Sequence, residues 1–545
     1  MNMLNFCGIS LDLPASSLRA IALGLAAIAV VGCGADATSA GGGSGTGSAQ
    51  SGSAFGAAGT AATKPGSHGV TQAGAQDFGA FRQILEAGKA PAPGVLDDLG
   101  FFAEHKLDYP KATCGDDLCM HGLVGSMANM INGANCTLVQ IGLNTPLDPQ
   151  TLARPPLDVV LVIDTSGSMQ GDPMTYVKEG LKRMLDSLEP VDRVSLVTFS
   201  TEAQVAVAGI SAAEKLKLAA VFAGIEASGS TNLYDGLFMG FQVAAKQQAA
   251  GRSARVVMLS DGKATAGIQD NAKLVSLARA WAKKGIGITT IGMGAEFDVV
   301  AMRDLAEAGG GNFYFIDKAK AAGEVFQEEV KTAFLPLALD VKITFAPGPG
   351  YVVRAVYGTH GWSGGPNGGI IEIPALYLAK RTDSTAPITA GRRGGGGAIV
   401  IEMVPLKGTV DKGVASLGLA YVAPADMSTK AKDAQLATPH KPGEVPPEGF
   451  FSAPTVEKGF VMLNLFAAFE MATQLAWDAD AGAARGVLEA IVKPAQAWVV
   501  KNKDPDIEDD LKYVAMYTKI LADMQAKQTV KTPVHLPPDP WPFGD

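Results

Sequence analysis

Five oxygen-bearing side chains stand out by their type and spacing. Asp164-Thr-Ser166-Gly-Ser168 sets one carboxylate and two hydroxyls at alternating positions directly after the apolar run Asp158-Val-Val-Leu-Val-Ile163. Hard oxygen donors at that spacing can converge on Mg²⁺, which demands near-octahedral geometry and keeps part of its water; Mn²⁺ and Ca²⁺ take the same donor types. Alone, Asp-x-Ser-x-Ser is a weak pattern. Two further segments strengthen it: Gly229-Ser-Thr231-Asn232 opens a helix, and Ser260-Asp261-Gly262 closes another apolar run. The expected metal set is therefore Asp164, Ser166, Ser168, Thr231 and Asp261.

An open divalent cation could also serve as a Lewis acid, so a metal-dependent hydrolase is an alternative reading. Proton chemistry argues against it. All six histidines (His68, His105, His121, His360, His440 and His535) lie outside the segment that carries the donors. The nearest carboxylates by sequence, Glu202 and Asp235, read as solvated loop or helix-face groups. No Ser-His-Asp arrangement and no Gly-rich phosphate loop with Lys is present. Catalytic residues are thus expected to be absent.

The donors need a scaffold that brings three separate loops together. From Leu157 to about Ala333, short β-branched runs alternate with helical segments of ten or more residues. The runs are Asp158–Ile163, Arg193–Phe199, Arg255–Leu259, Gly287–Ile291 and Asn312–Ile316. Near-continuous apolar strands separated by helices predict a doubly wound, mostly parallel α/β sheet covered on both faces. Ligands of such sheets bind beyond the carboxyl ends of the strands, where Asp164 and Asp261 fall.

In order and context these residues resemble the metal-ion-dependent adhesion site of von Willebrand factor type A domains. The resemblance implies that Ser166, Ser168 and Thr231 coordinate the metal and that Asp164 and Asp261 act directly or through water. It further implies a vacant coordination position completed by an Asp or Glu of a protein partner. The phrases Pro155-Pro-Leu-Asp-Val-Val-Leu-Val-Ile-Asp-Thr-Ser-Gly-Ser-Met169, Asp192-Arg-Val-Ser-Leu-Val-Thr-Phe199 and Gly311-Asn-Phe-Tyr-Phe-Ile-Asp317 look like the bacterial YfbK-type lipoproteins. Phe81-Arg82, Gly100–Pro110 and Glu457–Phe469 echo the flanks of that family.

The surrounding chain sets the context. Its 545 residues exceed what one core can serve, and 47% apolar against 18% charged residues predict mostly globular structure. A formal net charge of −9 without an aromatic-laced basic cluster argues against nucleic acid as a partner. Residues 1–32 read as a lipoprotein signal peptide: Arg19 precedes the apolar run Ala20–Val31, and Val30-Val31-Gly32-Cys33 resembles a lipobox. Cys33 is then the expected lipidation site and membrane anchor, placing the protein on the outer membrane or the periplasmic face. Residues 33–75 read as a Gly/Ser/Ala-rich tether.

Further boundaries follow from pattern: an N-terminal unit at 76–155, the metal-bearing unit at 156–335, an antiparallel β-rich unit at 336–430, a Pro-rich linker at 431–454, a helical unit at 455–530 and a Pro-rich tail at 531–545. In an exported protein, Cys114 and Cys119 can close a small disulfide loop, although Cys136 can take either partner and one thiol is left over. A zinc site with His121 lacks the usual ligand spacing. A structural scaffold in which the metal only stabilises the fold is the remaining alternative to metal-dependent protein binding.

Overall fold

The computed structural model describes residues 4–6, 9–11, 68–72, 74–75, 79–147, 155–249, 251–261, 264–293, 298–316, 336–380 and 397–527. Cys33, most of the signal segment and tether, and the Pro-rich tail lie outside them. Strand β1 (Leu4–Phe6) pairs antiparallel with β2 (Ile9–Leu11).

The metal-bearing unit is a seven-stranded sheet. Its strands are β4 (Gly74–Ala75), β7 (Leu157–Asp164), β8 (Arg193–Phe199), β9 (Ala203–Ser211), β10 (Ser253–Ser260), β11 (Gly287–Met293) and β12 (Asn312–Ile316), in the order β4-β12-β11-β10-β7-β8-β9. All neighbours are parallel except the edge pair β8–β9. β7 is buried along its whole length, which explains its unbroken apolar sequence. Successive side chains alternate between faces: Leu157, Val159, Leu161 and Ile163 enter one core, Val160 and Val162 the other. Helices α3 (Asp172–Ser187) and α4 (Lys215–Ala223) cover the first face; α5 (Leu233–Gln247), α6 (Asn271–Ala282) and α7 (Val299–Ala308) cover the second.

Strand order reverses between β7 and β10, so the chain leaves these neighbours toward opposite faces and opens a crevice at their carboxyl ends. Helix α5, which the Thr231 loop feeds, lies unusually close to the sheet because it presents glycines. A Cβ on Gly236 would stand 2.6 Å from the Phe199 ring, and one on Gly240 would stand 2.4 Å from Val162 Cγ2.

The rest of the molecule forms three layers. Strands β3 (His68–Gln72), β13 (Pro336–Pro347), β15 (Trp362–Gly365), β16 (Gly368–Lys380), β18 (Gly413–Val422) and β19 (Thr429–Ala437) make a six-stranded sheet. Strands β5 (Cys119–Ala128), β6 (Asn135–Asn144), β14 (Tyr351–Tyr357), β17 (Ala398–Pro405) and β20 (Phe450–Phe451) make a five-stranded one. The sheets face each other through Val139, Ile141, Ile343, Phe345, Ile401 and Leu419. The outer face of the five-stranded sheet packs on helices α1 (Gly79–Glu86), α2 (Asp98–Glu104), α8 (Pro454–Trp477), α9 (Ala481–Asn502) and α10 (Pro505–Lys527).

These pairings correct the expected boundaries. The units drawn at 76–155, 336–430 and 455–530 are not separate: β6 pairs with β17 along six residues, and α1 and α2 share one core with α8 to α10. Local sequence pattern carries no information on such distant pairings. The segment taken as a linker contributes most of β19 and all of β20, and the end of the tether contributes β3 and β4. Helix α8 has the length and composition of a membrane span, yet 83% of its most apolar window is buried within the protein. Its interrupting Asn464 is satisfied there, accepting from Met130 N and donating to Phe460 O, each at 2.8 Å.

Cys114 and Cys119 form a disulfide. His121 Nε2 instead meets Asn144 Oδ1 at 2.8 Å. A polar junction ties the seven-stranded unit to the layers: His360 Nε2 lies 2.9 Å from Asp97 Oδ1 and 3.1 Å from Asp98 Oδ1, while its Nδ1 bonds Glu307 of α7. Burial opposes charge on this imidazole, but hydrogen bonds to the three carboxylates hold its pKa well above the usual histidine range. Asp97, Asp98 and His360 offer three metal-donor atoms within 4.8 Å, but the imidazolium and Arg303, at 3.4 Å from Asp97, already compensate them.

The close helix approach is testable. Gly240→Val forces a methyl into Val162 and lowers the unfolding free energy by about 1–3 kcal/mol in urea titrations. Gly486→Ala, in an exposed helix interior with nothing within 4 Å of its Cβ, instead stabilises by up to about 1 kcal/mol.

Candidate metal centre

Asp164 ends β7 with its carboxylate fully buried and both oxygens held. Ser166 N donates to Oδ1 at 2.8 Å, and Ser260 Oγ, from the end of neighbouring β10, donates to Oδ2 at 2.5 Å. The chain then makes a single 3₁₀ turn, Gly167–Met169, which returns the Ser166 and Ser168 hydroxyls to within 3.1 Å of each other. Ser168 Oγ in turn donates to Asp261 Oδ1 at 2.9 Å. Four of the five expected residues thus form one hydrogen-bonded chain across the β7–β10 crevice. Gly262 lies outside the described residues.

Thr231 reaches the same place through a backbone clasp. Gly167 N donates to Gly229 O at 3.0 Å, and Ser228 N donates to Thr165 O at 2.6 Å. Gly229 has φ +88°, a left-handed conformation that other residues rarely adopt, and this lets its carbonyl turn toward Gly167. Thr265 grips Thr231 from the other side: its Oγ1 accepts from Thr231 N and its N donates to Thr231 O, both at 2.9 Å. Asn232 caps α5, accepting from Asp235 N and donating to Asp235 Oδ2 at 2.8 Å. Thr231 is only 4% exposed, yet its hydroxyl makes no hydrogen bond among the described residues.

The electrostatics fit a cation. Burial raises the pKa of Asp164 against the hydrogen bonds from Ser260 and Ser166, and the nearby charge of Asp261 adds to the rise. Burial likewise raises Asp261 against its bond from Ser168. Among the described residues no Lys or Arg forms an ion pair with either carboxylate. Two such carboxylates and three hydroxyls, one of them without a hydrogen-bond partner among the described residues, are a hard-oxygen donor set suited to a divalent ion. The positive end of the α5 dipole, at Leu233, favours an anion beside it.

Sequence reasoning missed the holding residues. Ser260 was visible as a neighbour of Asp261, but its bond to Asp164 requires β7 and β10 to pair with Ile163 opposite Leu259. Thr265 carries no local signal. Asp235, read as a solvated carboxylate, is engaged by Asn232, and Glu202 is exposed.

Comparison with known proteins agrees with this geometry: residues 158–328 match the von Willebrand factor type A domain family. The central unit is a von Willebrand factor type A domain. The uncharacterized protein YfbK of Escherichia coli is 30% identical over 209 residues, 38% of this chain and 36% of its own length. The human inter-alpha-trypsin inhibitor heavy chain H4 is 31% identical over 171 residues, 30% of this chain and 18% of its own. This chain therefore spans well under half the length of these relatives. Among solved structures, a von Willebrand factor type A protein from Catenulispora acidiphila aligns with 78% of this chain and 99% of its own at TM-score 0.48 and 14% identity. A mussel byssus matrix protein, described with a zinc-occupied adhesion-site motif, aligns with 33% of this chain and 46% of its own at TM-score 0.28 and 19% identity. Type A domains commonly mediate metal-dependent protein binding.

A carboxyl whose folded pKa lies above its unfolded value binds more protons when folded, so metal-free stability falls as pH rises through the carboxylate range. Asp164→Asn and Asp261→Asn remove that cost. In chelator at neutral pH each variant unfolds at a higher temperature than the parent in calorimetric scans, and neither gains further stability from Mg²⁺. Lower melting temperatures in chelator would contradict the electrostatic account.

Proposed function

We propose that this chain is a cell-envelope lipoprotein whose type A domain binds a protein partner through a divalent metal, Mg²⁺ or Mn²⁺ foremost, with an Asp or Glu of the partner completing the metal's shell. One observation carries the reading. The hydrogen-bonded chain Asp164–Ser166–Ser168–Asp261, clasped to the Thr231 loop, gathers oxygen donors at the β7–β10 crevice, among them two carboxylates that no described Lys or Arg pairs.

Anchoring through lipidated Cys33 and export to the periplasmic face or outer membrane belong to the same proposal. They rest on the apolar run Ala20–Val31 and the Val30-Val31-Gly32-Cys33 sequence. More than one acyl chain gives stable membrane attachment, as a lipidated N-terminal cysteine provides. The names of the relatives denote no catalytic activity, and among the described residues no histidine reaches the metal site, which supports a binding role over a hydrolytic one.

Calorimetry is expected to show one Mg²⁺ or Mn²⁺ per chain. Ser260→Ala, which frees one oxygen of Asp164, weakens that affinity by about 10–100-fold, the usual cost of losing a residue that orients a metal ligand. Capture of envelope proteins is lost in chelator and restored by metal. Capture that ignores chelator would favour the scaffold alternative, and absent metal binding would remove the adhesion-site reading. In cells fed alkyne-tagged palmitate, label appears on the parent chain and not on Cys33→Ala.

A further inference from the structure

The rim of the metal crevice is hydroxyl- and amide-rich: Thr201 Oγ1 meets Ser230 Oγ at 3.0 Å, and Gln170 Nε2 donates to Ala227 O at 3.2 Å. One apolar outcrop lies on α5, the helix that begins directly after Thr231 and Asn232. Tyr234, in the first turn of α5, stacks on Phe238 one turn further along, with ring centroids 6.1 Å apart and planes 10° apart. Phe238 is 42% exposed, and among the described residues of the type A domain no other aromatic side chain is exposed. From Gly236 to Ala245 this helix carries no charge, although surface helices ordinarily set charged residues on the solvent side.

We propose that Tyr234 and Phe238 form a specificity subsite for the same partner, taking an apolar or aromatic side chain near the acidic residue that reaches the metal. This rests on the metal-dependent binding reading. At about 1.5 Å rise per helical residue, the rings stand roughly 5–10 Å along α5 from Thr231. An extended peptide advances about 3.3 Å per residue, so a side chain about two to three positions from the metal-bound carboxylate arrives over the rings. The partner segment is therefore extended, acidic at one position and apolar shortly beside it. Buried aromatic anchors flanked by a polar rim are where binding energy concentrates.

The test uses the full chain with Mg²⁺ and two fluorescein-tagged peptides, Phe-Phe-Gly-Asp-Gly-Phe-Phe and the same peptide with serine in place of each phenylalanine. Anisotropy titrations are expected to show the phenylalanine peptide binding about tenfold tighter, equivalent to about 1.4 kcal/mol. Phe238→Ser is expected to reduce that preference to less than about threefold while Mg²⁺ affinity by calorimetry and the serine peptide's affinity stay unchanged. If the parent chain binds no Mg²⁺, the metal reading falls and the subsite with it. If the metal-loaded chain binds both peptides equally, or neither, the subsite alone is overturned. Metal-dependent self-association that disappears in Phe238→Ser would also overturn it, assigning the rings to a second copy of this chain.

Discussion

Asp164 and Asp261 are carried to the ends of adjacent parallel strands, and burial leaves both carboxylates disfavoured as anions, with no basic side chain paired to them among the described residues. Much of the surrounding local structure can be understood as the support for that arrangement. Ser260 and the Ser166 amide fix Asp164, the short turn through Ser168 links it to Asp261, and the Gly229 clasp sets the Thr231 loop alongside. A divalent ion held there would relieve the charge that folding concentrates. A site without such repulsion would have little need of the ion, and a site without the clasps would lose its geometry on releasing it.

The strand order makes this possible. Because β7 lies between β10 and β8, loops from both sides of the sheet converge at its carboxyl end, and helix α5 approaches closely enough, through Gly236 and Gly240, to deliver Thr231 from a third. Among the described residues, the sandwich and helical layers make no hydrogen bond or ion pair with Asp164, Ser166, Ser168, Thr231 or Asp261. They grip the domain instead through strand β4 beside β12 and through the His360 junction with Asp97, Asp98 and Glu307.

What could be read from sequence follows the same division. The five side chains that converge beyond β7 and β10, the parallel strands and the helical character of 455–530 were legible because each is written in local sequence: oxygen-bearing residues directly after an apolar run, β-branched runs spaced by helical segments, and a long stretch without strand-like alternation. The partnership of β6 with β17 was not, because residues 135–144 and 398–405 are joined only in the fold and their alternation fits any antiparallel neighbour. Ser260 and Thr265 were opaque for a related reason, since a hydroxyl's role depends on which strand or loop it faces. The edge strand β9 and the strands β19 and β20 were hidden by composition, being short or rich in Ala, Lys and Gln.

The central claim is a divalent ion held at one side of an open crevice, with exchangeable positions left for a carboxylate. Water-proton relaxation with Mn²⁺ tests it most directly. Binding to the parent chain should enhance the relaxation rate, because bound Mn²⁺ keeps exchanging water, and a short Asp-containing peptide should lower that enhancement by displacing water from the ion. No enhancement, or an enhancement that the peptide leaves unchanged at saturation, would contradict the account.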